Sequence, residues 1–490
     1  MKRILNYRLI TFIALALCTG VVVGGLLCKS ILLSVLIPIV STAVGILLYF
    51  LTKKHTAWIL LFAFSLGAAL FLSVTAATKP KLSGEQTLTL TVEEVGEKSG
   101  NVIMRGDVGV VTLSGRDYYL QEGDKVVVTG TLTPVEFSYQ DGYERHLFSK
   151  GVSYKLRVKE MTLIGNEPSF FQKIKIKSRD VMLRYMNRED AAVCMSLIFG
   201  DKSMLSSKTA QETTGAGLSH VFAVSGLHIG FLAAILSFAL KKCRVRPVPR
   251  MIVTVTILLL YGVLTGFPAG VKRSVIAYFL YELSVITARK RDGLTTLSAA
   301  VILIVSSDPK ELFDVGFLLS VGAVAGIVFF YKPLYSVVNR LPNNAVKRVV
   351  MYPYGLICMT VSANVFILPI TFSVFGSVTP YAAVGNLLVL PVLSVVFPCL
   401  ALTAMLSLIF GGFGVLYYVI KYPIIAIRLF CSLISSWPGA ELPVAGLGVA
   451  ALFYVLFFVC SGRFLLLKLK FKAPICSALA LSCVLCMLFL

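Results

Sequence analysis

The chain has 490 residues, 57% of them apolar and 14% charged, where soluble domains carry about 25% charged residues. With a mean hydropathy of +0.85, that composition excludes a soluble globular enzyme and a disordered scaffold, and it implies a membrane protein with many spans. The net charge of +22 raises a second question, whether the excess serves orientation or a polyanion.

In chain order, residues 1–78 carry six basic and no acidic side chains. Apolar runs at 9–28, 31–51 and 58–77 predict three opening transmembrane helices rather than a cleaved leader. Lys2, Arg3 and Arg8 set the N-terminus inside, so the chain leaves the third span on the outer side. Residues 79–190 hold 17 basic and 16 acidic residues and are nearly neutral. None of the chain's 11 cysteines lies there, so no disulfide framework is expected. The CxxC of Cys483 and Cys486 lies in an apolar run and reads as packing.

Within 79–165, the segments 86–95, 125–134 and 152–164 alternate apolar and polar residues, with a turn at Glu122-Gly123-Asp124. That predicts a small all-β, OB-like barrel. On it, Tyr118, Tyr119 and Tyr154 offer stacking faces, and Lys125, Lys155 and Arg157 offer charge. The alternative for the tyrosines is core and cross-strand packing. Residues 166–200 read as an amphipathic basic linker, with Lys173, Lys175, Lys177, Arg179, Arg184 and Arg188 beside apolar neighbours.

The remaining 201–490 predict about ten more spans, thirteen in all, near 217–240, 251–267, 271–288, 294–307, 315–331, 350–375, 381–410, 415–436, 443–461 and 473–490. Basic loops at 241–250, 289–291, 332–348 and 463–472 then fall inside, and the acidic loop 308–314 outside. The short 294–307 run, Pro391 and Pro398 in 381–410, and Lys421 and Arg428 in 415–436 suggest broken or re-entrant segments.

Three stretches carry candidate chemistry. In 215–236, His220, Val224 and His228 follow i, i+4, i+8 spacing, which predicts both imidazoles on one helix face. Ser225, Gly226 and Gly230 lie with them. The alternatives are a pore lining, or helix packing through small residues. Ser225 with His228 could make a nucleophile and base, but no carboxylate is near and no GxSxG elbow exists. Two histidines are too few for a metal, and no cofactor is expected. In 260–291, Gly266, Pro268 and Gly270 break the helix. Lys272 and Arg273 fall on the outer side, against the positive-inside expectation, as snorkelling residues or phosphate contacts. Glu282 lies mid-span and should pair with a base or line a cavity. In 368–391, Pro369, Gly376, Pro380 and Pro391 interrupt the run, and Asn364 and Asn386 could bridge helices or meet a substrate.

Together these stretches resemble the ComEC family of competence proteins. The run SHVFAVSGLHIG at 219–230 is similar to the family's hallmark, in which a histidine precedes an A-x-S-G-L-H core. YGVLTGFPAGVKRSVIAYF at 261–279 resembles the next block, although Ala269-Gly270 and Lys272 depart from its usual choices. DPKELFDVGFLLSVGAVAGI at 308–327, the 368–391 segment and FSYQDGYERHLFSKGV at 137–152 also match. The resemblance implies a channel in the cytoplasmic membrane that passes one DNA strand, with His220, Ser225, Gly226 and His228 in its motif and none of them catalytic. The implied partners are single-stranded DNA, membrane lipids, an external DNA receptor and, since no P-loop is present, a cytosolic ATPase or helicase motor. Many members continue into a metallo-β-lactamase-like domain associated with degrading the other strand. The only histidines here are His55, His146, His220 and His228, too few for an HxHxDH-type two-metal cluster. The reading is therefore a short, non-enzymatic form with a separate nuclease. Two other readings stay open: a transporter of another anionic polymer or lipid-linked substrate, and an intramembrane serine hydrolase using Ser225.

Overall fold

The computed structural model describes residues 9–27, 31–52, 55–77, 82, 84–95, 102–106, 109–114, 120–138, 141–288, 292–340, 345–410 and 412–443. Tyr118, Tyr119, the expected loop at 463–472, the spans near 443–461 and 473–490, and the CxxC pair lie outside them.

Three apolar helices open the chain: α1 (Leu9–Leu27), α2 (Ile31–Thr52) and α3 (His55–Ala77). α1 and α3 cross through glycine. A Cβ on Gly67 would stand 2.2 Å from the Leu17 carbonyl oxygen, and one on Gly20 would stand 2.0 Å from that of Phe64. Two helix backbones approach this closely only where side chains are missing.

Next comes a closed barrel of β1 (Gly84–Val95), β2 (Val102–Gly106), β3 (Gly109–Ser114), β4 (Asp124–Pro134) and β5 (Tyr154–Asn166). The strand order is β1-β2-β3-β5-β4, with β3 parallel to β5 and the other pairs antiparallel. Alternation buries Leu90, Val92, Val126, Val128 and Leu156 inside, as a two-residue side-chain period requires. α4 (Gly142–Ser149) lies between β4 and β5, capped by Asp141, whose carboxylate accepts from the Tyr143 and Glu144 amides. Phe137 and Phe148 from this part pack against Phe71 of α3, and Phe137 also against Phe313. Phe313 ends a short 3₁₀ turn, Pro309–Phe313, in the acidic loop. The barrel thus sits on the end of the bundle where α3 finishes and that loop lies.

α5 (Phe170–Tyr185) and α6 (Arg188–Phe199) follow. α5 is the basic amphipathic helix: Lys175 reaches Glu122 of the barrel at 3.4 Å. The linker reading stops there. Residues 190–199 of α6 are all buried, and Ala191, Val193, Cys194, Met195, Leu197, Ile198 and Phe199 belong to the largest apolar cluster among the described residues, with the 216–222 segment, α15 (Ala382–Phe410) and α16 (Tyr417–Ser435). Arg428 of α16 reaches the α6 N-terminus, bonding Asp190 at 2.6 Å and pairing with Glu189.

The core continues through α7 (Ser207–Gly215), α8 (Gly226–Lys242), α9 (Pro247–Leu264), α10 (Ala269–Ile286), α11 (Gly293–Ser307), α12 (Val315–Gly326), a π turn at Ile327–Tyr331, α13 (Lys332–Tyr335) and α14 (Ala345–Phe375). A two-stranded pair, β6 (Ser377–Val378) with β7 (Leu442–Pro443), ties the α14–α15 connection to the chain after α16.

Among the described residues, seven helices are long and apolar enough to cross a membrane, so the chain is a polytopic membrane protein. The expected count of thirteen came from apolar runs alone. α11 has 15 residues, short of the roughly 20 a bilayer needs. α8 and α10 carry Lys241, Lys242, Lys272, Arg273 and Glu282. The 381–410 and 415–436 runs, suspected of being broken, each hold one helix despite their prolines. α15 begins beside the middle of α14, where Asn386 Nδ2 donates to Thr360 Oγ1 at 3.1 Å. At its other end the Leu408 carbonyl accepts from Lys177 of α5 at 3.2 Å. Strict alternation of spans would set residue 410 on the opposite side from the barrel; this contact joins it to the helix that leaves the barrel.

Candidate functional site

The site is built where α8, α9 and α10 meet. Residues 219–225 form turns, and the helix starts at Gly226. The shared helix face expected for His220 and His228 therefore does not exist: His220 is exposed in the turn, while His228 is 0% exposed. The physical reason is the cap. Ser225 is the N-cap of α8, accepting from the Leu227 amide at 3.3 Å. His228 Nδ1 accepts from the Ser225 amide at 3.0 Å and lies 3.0 Å from Ser225 Oγ. This reciprocal arrangement satisfies amides that an uncapped start would leave orphaned. Among the described residues His228 Nε2 is buried without a hydrogen-bond partner, and its ring packs edge-on to Phe397 at 4.5 Å. A hydrolytic base needs a group that orients its other nitrogen; among the described residues none bonds that nitrogen here.

Gly226 brings α8 against α10. A Cβ there would lie 2.4 Å from Ser274 Oγ and 2.8 Å from Arg273 Nη2. Arg273 Nε donates to Ser320 of α12 at 2.7 Å, which holds the guanidinium beside the α8 N-terminus. Lys272 pairs with Glu311 of the acidic loop. Burial raises the Glu311 carboxyl above the usual range, and the bonded Lys272 ammonium offsets only part of that rise.

From Gly226 a cavity of about 420 Å³ follows α8 to Lys241, a length of about 22 Å at 1.5 Å per residue. On the α8 side it is lined by Gly226, Gly230, Ala233, Ala234 and Ser237, and on the α10 side by Ser274, Ala277, Tyr278, Tyr281 and Glu282. Small residues of α8 leave the space, and Ser274, Tyr278, Tyr281 and Glu282 of α10 line it with polar groups beside the apolar Ile229 and Phe238. Glu282 is 4% exposed, pairs with Arg250 of α9 at 3.4 Å and accepts from the Tyr278 hydroxyl at 3.3 Å. The cavity ends at the basic turn holding Lys241, Lys242, Arg244 and Arg246.

Of the remaining candidates, Asn386 is buried and joins α15 to α14. Asn364 is half-buried on α14, away from the groove lining. On the barrel, Tyr154 is 4% exposed and its hydroxyl accepts from the Leu82 amide at 3.3 Å. It is a core residue and offers no stacking face, because its register position points inward. Lys125 pairs with Glu167 at 3.5 Å and Lys155 with Glu144 at 2.9 Å. Arg157 is exposed. The sequence reading missed Arg250, Ser237, Ser274 and Tyr278. Ser274, Tyr278 and Glu282 follow i, i+4, i+8 spacing, and Gly226, Gly230, Ala233 and Ser237 form a matching small-residue stripe; those two periodicities were the available signal.

The competence protein family matches residues 197–469, which contain this whole groove. The chain belongs to that family. ComE operon protein 3 of Bacillus subtilis is 24% identical over 41% of this chain and 27% of its own length. Recombination protein 2 of Haemophilus influenzae is 22% identical over 54% of this chain and 34% of its own. Uncharacterized protein YcaI of Escherichia coli is 23% identical over 44% and 29%. The chain thus spans about a third or less of these relatives' length. No solved structure matches.

Proposed function

We propose that this protein is a non-enzymatic conduit that takes up single-stranded DNA across the cytoplasmic membrane during transformation. The observation that carries the reading is the partly polar groove along α8 and α10, with Arg273 at one end and the basic turn at the other. Cations at both mouths suit a phosphate backbone, and polar groups held inside a membrane protein mark a pathway. Membership of the competence family and the names of the relatives support DNA as the cargo. In this reading the N-terminus is cytoplasmic and the barrel is an extracytoplasmic OB-like domain that receives the strand. The charge pattern supports that placement: the barrel packs by the acidic loop, while the basic turn lies at the far end of the groove. An external receptor, a cytosolic motor and a separate nuclease complete the system. Deleting the gene and measuring labelled DNA in the cytosol tests the proposal. Loss of uptake is expected; normal uptake refutes it.

A second reading, transport of another anionic polymer or a lipid-linked substrate, is favoured by the barrel, whose Lys125, Lys155 and Lys159 are each paired with a glutamate. Binding of single-stranded DNA to the full chain at increasing salt separates the two. A steep fall in affinity supports DNA, and a flat response supports the rival.

A further inference from the structure

Glu282 stands in the wall of the α8–α10 groove, where a carboxylate repels the phosphates that the cations at the two mouths attract. Its charge is balanced from the α9 side: Arg250 donates to Oε2 at 3.4 Å. The Tyr278 hydroxyl donates to Oε1 at 3.3 Å. A carboxylate offers about four acceptor positions, so about two remain for a donor that enters the groove. A phosphodiester carries no such donor. The exocyclic amine of a nucleobase is one.

Aromatic rings line the same groove. Phe238 follows Ala234 on α8, and Tyr281 follows Ala277 on α10, each at i+4, so each ring shares a helix face with its alanine. All four residues line the space, and Phe238 is 64% and Tyr281 46% exposed. One turn before Ala234, a Cβ on Gly230 would meet nothing within 4 Å, so the way along this face is open. Lys241 also lines the groove and makes no ion pair among the described residues, while Lys242 lies over the Phe238 ring at 5.9 Å. An acyl chain in this space would leave Ser237, Ser274, Tyr278 and Glu282 facing methylenes. A base gives those groups a polar edge and gives the rings a flat π face.

We infer that this part of the groove is a nucleobase subsite: a base with an exocyclic amine stacks against Phe238 and Tyr281, its amine donates to Glu282, and Lys241 takes the adjoining phosphate. Cytosine fits through its N4 amine. Thymine has a carbonyl at that place and meets the carboxylate acceptor to acceptor. The inference rests on the single-stranded DNA conduit proposed above and adds that the strand is held by its bases as well as its phosphates.

The test uses the full chain in mixed micelles with a short DNA strand carrying one iodocytosine. Irradiation joins the iodinated base to an aromatic ring that it touches, and peptide mass spectrometry locates the adduct. Adducts at Phe238 or Tyr281 are expected. Unlabelled oligodeoxycytidine should suppress them at about a third or less of the concentration that oligodeoxythymidine needs. Phe238→Ala, at an exposed position, should raise both concentrations about fivefold, read at Tyr281. The double variant Arg250→Met/Glu282→Leu removes the carboxylate together with its counter-charge and should make the two competitors equal. Glu282→Gln, whose amide can also donate to thymine, should do the same if the double variant fails to fold. Equal competition in the parent chain, an undiminished cytosine preference in a folded Glu282 variant, or adducts confined to the barrel overturns the subsite and leaves the conduit standing. A chain that binds neither strand overturns the conduit and the subsite with it.

Discussion

The Arg250–Glu282 pair gives the sharpest check on the groove. The two groups are 3.4 Å apart and their side chains are 13% and 5% exposed. At an effective dielectric near 20 their attraction is about 5 kcal/mol, and desolvation costs several kcal/mol per ion. The pair as a whole therefore nearly balances, while removing one partner strands the other. Among the described residues Arg250 Nε is already buried without a partner, so Glu282→Ala should destabilise by about 3–5 kcal/mol. Glu282→Gln, which keeps an acceptor, should cost about 2 kcal/mol. The double variant Arg250→Met/Glu282→Leu should return to within about 1 kcal/mol of the parent. Reversible unfolding in mixed micelles gives the cycle, and DNA uptake by the double variant asks whether the charges also serve transport. A Glu282→Ala loss below about 1 kcal/mol, or a double variant whose loss equals the sum of the Arg250→Met and Glu282→Leu single losses, would refute the reasoning.

The groove mouth gives a paired test: Gly226→Ala drives a methyl into Ser274 and Arg273 and should cut DNA uptake at least tenfold, whereas Gly230→Ala, with nothing within 4 Å, should leave it within about twofold. Adding Ser274→Ala to Gly226→Ala should restore part of the loss. Tyr154→Phe should lower stability by about 1 kcal/mol and leave DNA binding by the full chain unchanged, while Arg157→Ala should weaken that binding and flatten its salt dependence. Phe313→Ala removes the ring that contacts Phe71 and Phe137 at 5.3 and 4.7 Å. It should cost about 3–5 kcal/mol, seen as a lowered Tm and as protease sensitivity of the barrel attachment.

Composition and period determined much of this protein. Charge scarcity and apolar runs made it a polytopic membrane chain, because hydrocarbon tolerates little else. Alternation at 86–95, 125–134 and 152–164 marked β1, β4 and β5, because a strand with one buried face writes that face into every second residue. The run at 219–230 and its neighbouring blocks pointed to the competence family. Tertiary structure decided the rest. Helical spacing put His220 and His228 on one face, but a serine cap between them starts the helix only at Gly226, and sequence spacing cannot tell a helix from the turn before it. Tyr154 reads equally as a stacking face or a core residue until the barrel closes around it. Residues 190–199 look like linker in a window of basic residues and become core only when α15 and α16 cover them. Glu282 announced itself as a buried carboxylate, yet its partner Arg250 lies 32 residues away on another helix. Such pairings depend on which helices touch, and local sequence carries no record of that.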